Sequence, residues 1–216
     1  MERDILKENV GSQDQVSAAF GGFNKITFTR DGNINVQPVI LTGPKLIALQ
    51  DHLMLFFTGF SRYASKVAKK VIQNAPKRKA ALARIYQSVD EGLEILTGNR
   101  DLADFGQMLH EGWMLKRSLT EGITTPAIDH IYEAARGAGA VGGKLIGAGG
   151  GGFMLLFVRP QDQPRVRKCL RKLLQVPLRF EISGSQIVFY RPDARKTDQW
   201  PRSSARKRKR DEVASW

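Results

Sequence analysis

Residues 147–152, Gly147-Ala148-Gly149-Gly150-Gly151-Gly152, hold five glycines in six positions and lie between two short apolar stretches, residues 144–146 and 153–158. No other segment narrows the possible folds as much. Glycine reaches positive φ without steric cost, yet it loses more conformational freedom on folding than any other residue. A run like this is therefore either a tight connection that lets strands and a helix pack closely, or a place where backbone must approach a ligand. A nest of amides facing an anion is one form of the second case. Gly147, Gly149 and Gly152 formally satisfy G-x-G-x-x-G, but a dinucleotide-binding turn leads into a helix. The next six residues here, Phe-Met-Leu-Leu-Phe-Val, read as a strand. No Gly-Lys-Ser/Thr comes after the turn either, so a Walker A loop is excluded.

The segments around the turn change period. Ser12-Gln13-Asp14-Gln15 has the form of a capping box, and it opens a short helix stopped by Gly21-Gly22. Residues 23–29 and 33–38 alternate about Asp31-Gly32 and predict a hairpin. Residues 53–57 form a continuous apolar run, read as a buried strand. From Ser61 the period moves to about 3.6. It predicts helices through Val67 and Val71, over residues 79–96, over residues 101–119, and from Pro126 to a stop at Gly137. A basic amphipathic helix is expected over residues 161–174, and a final hairpin pairs residues 180–182 with 187–190 across Ser183-Gly184-Ser185. Strands at both ends with helices between predict an α+β fold, helices packed on one face of an antiparallel sheet.

Composition bounds the function. The 216 residues are 42% hydrophobic, and no apolar run approaches the roughly 20 residues that span a bilayer. The amino terminus lacks the basic-then-apolar character of a secretory signal. Cys169 is the single cysteine, so no internal disulfide can form, and a cytoplasmic setting is expected. The net charge is +13, of which the nine Lys/Arg and four Asp/Glu from Arg191 onward supply +5. The run Arg206-Lys-Arg-Lys-Arg210 is read as a solvated tail rather than a nucleic-acid site. The remaining excess is diffuse and favours anionic ligands such as phosphorylated metabolites.

Lys144-Leu-Ile-Gly147-Ala-Gly149-Gly-Gly151-Gly152-Phe153 resembles the third signature of the GHMP kinases. Within that superfamily the match is nearest to the D-glycero-D-manno-heptose 7-phosphate kinase group. Glu8-Asn-Val-Gly-Ser-Gln-Asp-Gln15, Ala19-Phe-Gly-Gly-Phe23, Leu55-Phe-Phe-Thr-Gly-Phe-Ser-Arg62 and His110-Glu-Gly-Trp-Met-Leu-Lys-Arg117 carry it, over residues 5–192. The resemblance implies a remnant of the family's amino-terminal domain over residues 1–45, its carboxy-terminal domain over 46–192, and a basic tail over 193–216. It also implies that Asp14 is the base accepting the proton of the attacking sugar hydroxyl; capping its own helix is the alternative. Ser12, Gln15, Arg62 and Lys144 are implied substrate contacts. Capping would equally explain Ser12 and Gln15, a surface ion pair Arg62, and Lys144 would lean over the glycine turn. His110 and Glu111 adjoin on a helix and point apart, so no protein metal site is expected. Lys116 and Arg117 read as a charge pair at a helix end.

The family binds ATP with Mg²⁺ through a Pro-x-x-x-Gly-Leu-Gly-Ser-Ser loop in its first domain, and that loop does not occur here. The expectation is a carboxy-terminal portion of a heptose 7-phosphate kinase that is inactive alone, with a sugar phosphate as substrate and a complementing amino-terminal fragment as a partner. A fucokinase-like fragment and a non-catalytic sugar-phosphate-binding module are the other readings.

Overall fold

The computed structural model describes residues 11–59 and 64–189. The described residues group into one compact unit up to Ser185 and a second from Gln186. The first unit opens with α1 (Gln13–Phe20), with Asp14 in the first turn. Strands β1 (Asn24–Phe28) and β2 (Ile34–Pro38) pair antiparallel, Asn24 opposite Pro38 and Phe28 opposite Ile34. Helix α2 (Gly43–Asp51) leads into β3 (Leu53–Phe57), and α3 (Ala64–Asn74), α4 (Lys79–Thr97), α5 (Leu102–Leu119) and α6 (Pro126–Gly137) come next. The chain then forms β4 (Ala140–Leu145), β5 (Phe153–Val158), α7 (Gln163–Cys169) and β6 (Leu174–Val176).

Helix ends obey local chemistry. The Asp101 carboxylate accepts the Ala103 amide at 2.8 Å and starts α5, while Thr125 Oγ1 accepts the Ile128 amide ahead of Pro126 in α6. Each cap satisfies a backbone donor that the first turn leaves open.

The four long-range strands make one antiparallel sheet in the order β4-β5-β3-β6. Alternation along them separates two unequal faces. Met54, Phe56, Leu145, Met154 and Leu156, each at most 1% exposed, share the fully buried face. They join Trp113, Ile123, Ile128 and Tyr132 in the main core. On the other face Leu53, Leu55, Phe57 and Leu155 are only half-buried. Phe157 is the exception there: it stacks on His52 at 4.9 Å and packs with Leu49 and Leu96 in a smaller cluster. The architecture is thus a helix-covered antiparallel sheet, as the periodicity predicts.

The tightest backbone approach between these elements is that of α5 to β4. A Cβ at Gly142 would overlap the carbonyl oxygen of Gly106 and lie 3.0 Å from the His110 amide nitrogen. A Cβ at Gly106 would in turn meet the Phe157 ring at 2.6 Å and Val141 at 2.9 Å. Two facing glycines let the helix backbone rest on the strand backbone.

Three expectations need correction. The capping box does not form: Ser12 makes no side-chain cap hydrogen bond, and its carbonyl accepts the Val16 amide instead. The helix expected over residues 161–174 stops at Cys169, and Leu174–Val176 pairs with β3. The final hairpin is absent from its described part, residues 180–189; Tyr190 lies outside the described residues. Side chains and the α1 turn take its backbone groups. Glu181 Oε1 accepts the amides of Ile182 and Ser183, both at 2.9 Å, Gln50 Oε1 accepts that of Phe180, and the Gly22 amide donates to Glu181 O.

Gly142→Val is expected to lower unfolding free energy by roughly 1–3 kcal/mol or more, as overpacking against backbone does. Gly112→Ala, on α5 where an added Cβ meets nothing within 4 Å, should instead raise it by about 0.5–1 kcal/mol. Urea unfolding of both variants checks this, and equal effects would contradict the backbone-contact account.

Candidate functional site

The glycine turn between β4 and β5 is held from three sides. At its far end Gly152 O accepts both the amide and the hydroxyl of Thr58, at 2.9 and 2.8 Å, and Thr58 is 2% exposed. In the middle the Gly150 amide donates to Ile123 O at 2.8 Å. A Cβ at Gly149, where φ is +125°, would lie 2.7 Å from Ile123 Cα, so position 149 is closed to side chains on both steric and torsional grounds. At the near end Lys116 Nζ donates to Gly147 O at 2.5 Å and Leu145 O at 3.4 Å. Within the turn, Gly150 is the residue whose amide reaches a described backbone carbonyl; those of Gly147, Ala148, Gly149, Gly151 and Gly152 do not. A backbone fixed at both ends and offering amides between them suits an acceptor-rich ligand.

Lys116 and Lys144 both line a cavity of about 530 Å³. Leu82, Ile85, Leu109 and Trp113 give it an apolar wall from α4 and α5, and Gln13 and Lys25 close it from α1 and β1. Burial, reinforced by the neighbouring Lys144 charge, pushes the Lys116 ammonium down to about 8, and burial lowers Lys144 as well. Lys25 differs: its ammonium meets the Asp90 carboxylate at 2.7 Å.

Of the residues singled out from sequence, Lys144 and the turn 147–152 come together, Lys144 lying two positions before Ile146 on the strand that feeds the turn. Asp14, Ser12 and Gln15 sit at the start of α1. Asp14 and Gln15 are exposed, Asp14 accepts a 3.4 Å contact from Gln13, and Gln13 is the residue of that group on the cavity wall. Arg62 lies outside the described residues. Sequence reasoning missed Lys116, Thr58 and Ile123. Lys116 had a signal: it falls three residues after Trp113, on the stripe of Leu102, Phe105, Leu109 and Trp113, where a helix buries its face. Lys116 and Arg117 both lie in the last turn of α5, as expected, but Arg117 turns to Asp129 at 3.1 Å while Lys116 turns to the glycine turn. The His110 ring stacks on Tyr132 with Nδ1 2.7 Å from its hydroxyl, and burial lowers the imidazole and raises the phenol to about 12. These two groups brace α5 on α6.

The burial of Lys116 makes stability depend on pH. Below about pH 8 its ammonium is charged in folded and unfolded chains alike and the cost of burying it is carried in full. From there to the ordinary 10.5 the unfolded chain holds the proton more tightly, so stability rises with pH. Lys116→Met should lose on the order of 1–3 kcal/mol of that rise between about pH 7.5 and 10.5. Urea midpoints at the two pH values measure it, and a pH-independent difference between the proteins would rule it out.

Residues 93–176 match the family model for the GHMP kinases C-terminal region. The chain is 33% identical over 174 residues to the D-glycero-alpha-D-manno-heptose 7-phosphate kinase of Campylobacter jejuni, covering 80% of this chain and 51% of that protein. It is 29% identical over 180 residues to a bifunctional fucokinase/GDP-fucose pyrophosphorylase of Arabidopsis thaliana, covering 80% and 16%. Among solved structures, a D-glycero-D-manno-heptose 1-phosphate kinase from Bacteroides thetaiotaomicron superposes with TM-score 0.61 at 30% identity, over 85% of this chain and 50% of that one. The chain therefore spans about half the length of the heptose-phosphate kinases it matches. The helix-covered antiparallel sheet with its glycine turn thus has the fold of the GHMP kinase carboxy-terminal region, which the family model matches over residues 93–176.

Proposed function

We propose that this chain forms the acceptor side of an ATP-dependent sugar kinase for a heptose 7-phosphate, in the synthesis of nucleotide-heptose for surface polysaccharide. The 33% identity to a heptose 7-phosphate kinase across 80% of the chain carries this reading. The anchored turn and the cavity beside it supply a fitting physical setting: apolar wall for the sugar ring, backbone amides and lysines for its oxygens.

In this reading Asp14 accepts the proton of the acceptor hydroxyl. It lies exposed in the first turn of α1, where a general base can meet a substrate hydroxyl. Ser12, Gln15, Arg62 and Lys144 orient the acceptor, and the backbone of residues 147–152 forms a rigid wall against it. The nucleotide does not fit the same description. The 216 residues contain no Pro-x-x-x-Gly-Leu-Gly-Ser-Ser loop, and among the described residues no three His, Cys, Asp or Glu gather as a cation site. ATP and Mg²⁺, which supply the phosphoryl group and its charge neutralisation, therefore call for residues beyond those present, in a complementing amino-terminal region. The proposed setting is the cytoplasm. Among the described residues no helix is long and apolar enough to cross a membrane.

A fucose-type acceptor is the second reading, favoured by the match to the fucokinase over 80% of the chain. Turnover of an intact kinase built around this chain with fucose in preference to heptose 7-phosphate would select it.

The 216-residue chain alone is expected to show no heptose-dependent ATP consumption in a coupled assay. Turnover by the purified chain would refute the need for a complementing region. With such a region supplied, Asp14→Asn should reduce kcat by about 10²–10⁴-fold at little cost in KM. An unchanged kcat would remove Asp14 from the reaction.

A further inference from the structure

The cavity between α4, α5, β1 and β4 holds hydrogen-bond donors that no described residue satisfies. Lys144 is half-buried on its wall and forms no hydrogen bond or ion pair with any described residue. Lys116 spends two of its three ammonium protons on Gly147 O and Leu145 O, both neutral carbonyls, and the third is left. Trp113, on the same wall and 1% exposed, has its indole Nε1–H buried without an acceptor. Three arginines on or beside these helices each meet a carboxylate. Arg84 meets Glu91 and Glu111 at 3.1 and 3.0 Å, Arg100 meets Asp104 at 2.9 Å, and Arg117 meets Asp129 at 3.1 Å.

Buried ammonium groups and orphaned indole donors each cost stability when left unpaired. Two such ammonium groups in one cavity, with no carboxylate among its lining residues, describe a site whose acceptor arrives with the ligand. The polarity identifies the ligand class. A hydroxyl would present a donor of its own to a donor-lined wall, whereas a phosphate monoester is acceptor-rich and carries the matching charge. A volume of about 530 Å³ admits a sugar phosphate and is within the usual range for small-molecule sites.

We propose that Lys116 and Lys144 form a phosphomonoester subsite that binds the phosphate already present on the acceptor, away from the hydroxyl that reacts. The identity of that phosphate as the acceptor's rests on the kinase reading above; the anion subsite itself does not. Lys116 gains a second role from its geometry. It joins the subsite to Gly147, so phosphate binding would also hold the turn that faces the sugar.

The test titrates the 216-residue chain with sedoheptulose 7-phosphate, sedoheptulose and inorganic phosphate, by calorimetry and ³¹P NMR at neutral pH. The expected order of affinity is sugar phosphate, then phosphate, with sedoheptulose at least about tenfold weaker than its phosphate. Lys144→Met and Lys116→Met should each weaken the two phosphate ligands by about tenfold or more, and Lys144→Arg should retain part of the binding. The lysine variants relieve a buried charge, so circular dichroism and urea midpoints at neutral pH should show them folded and at least as stable as the parent. If the parent binds neither phosphate ligand, or if both lysine variants bind as the parent does, the subsite is refuted. Lysine-dependent binding of inorganic phosphate without preference for the sugar phosphate would uphold the subsite and overturn the heptose reading. Lysine-independent binding of the sugar phosphate would do the reverse.

Discussion

The approach of α5 to β4 through Gly106 and Gly142 governs the rest of the molecule. Helix and strand meet backbone to backbone, which fixes the rotation of α5 as well as its distance. Seven residues on, that rotation buries Trp113 in the main core; ten residues on, about 15 Å along the axis, it delivers Lys116 to the carbonyls of Leu145 and Gly147. The core and the site thus share one geometric origin. A side chain at either glycine would push the helix away from the strand and disturb both.

The legible parts of the fold are those encoded by local pattern. The hairpin of β1 and β2, the strands at 53–57 and 153–158, and the helices ending near Asn74, Thr97, Leu119 and Gly137 all come from periodicity and end signals. What escapes such a reading depends on partners far along the chain. Leu174–Val176 is a strand because β3 offers it an edge at Leu55–Phe57, and nothing in its own residues separates it from the preceding helix. Helix α2, with Pro44 in its first turn, goes unforeseen because its moderate apolar pattern is short. Residues 180–182 have strand-like alternation, but Glu181 turns its carboxylate onto the next two amides and competes with any ladder.

The site divides in the same way. The glycine turn announces itself by composition, since nothing else explains five glycines in six residues. Lys144 is visible by adjacency. Lys116 is hidden by its neighbour: next to Arg117 near a helix end, it looks like ordinary dipole compensation, and only the stripe through Trp113 shows that it faces inward. Thr58 and Ile123, which pin the turn, are unremarkable residues given a role by tertiary placement.

The anchors of the turn come from three separate stretches of chain, the farthest being Thr58, 94 residues from Gly152. Thr58 and Gly152 extend the ladder in which Leu53 pairs with Phe157 and Phe57 with Phe153, so this anchor carries the same loop-closure cost as the central sheet. The turn is therefore completed together with the β3–β5 pairing and not independently of it. Its shape records whether the whole chain has folded correctly. A molecule that had formed its helices but not the β3–β5 ladder would present an open, unformed wall to any ligand.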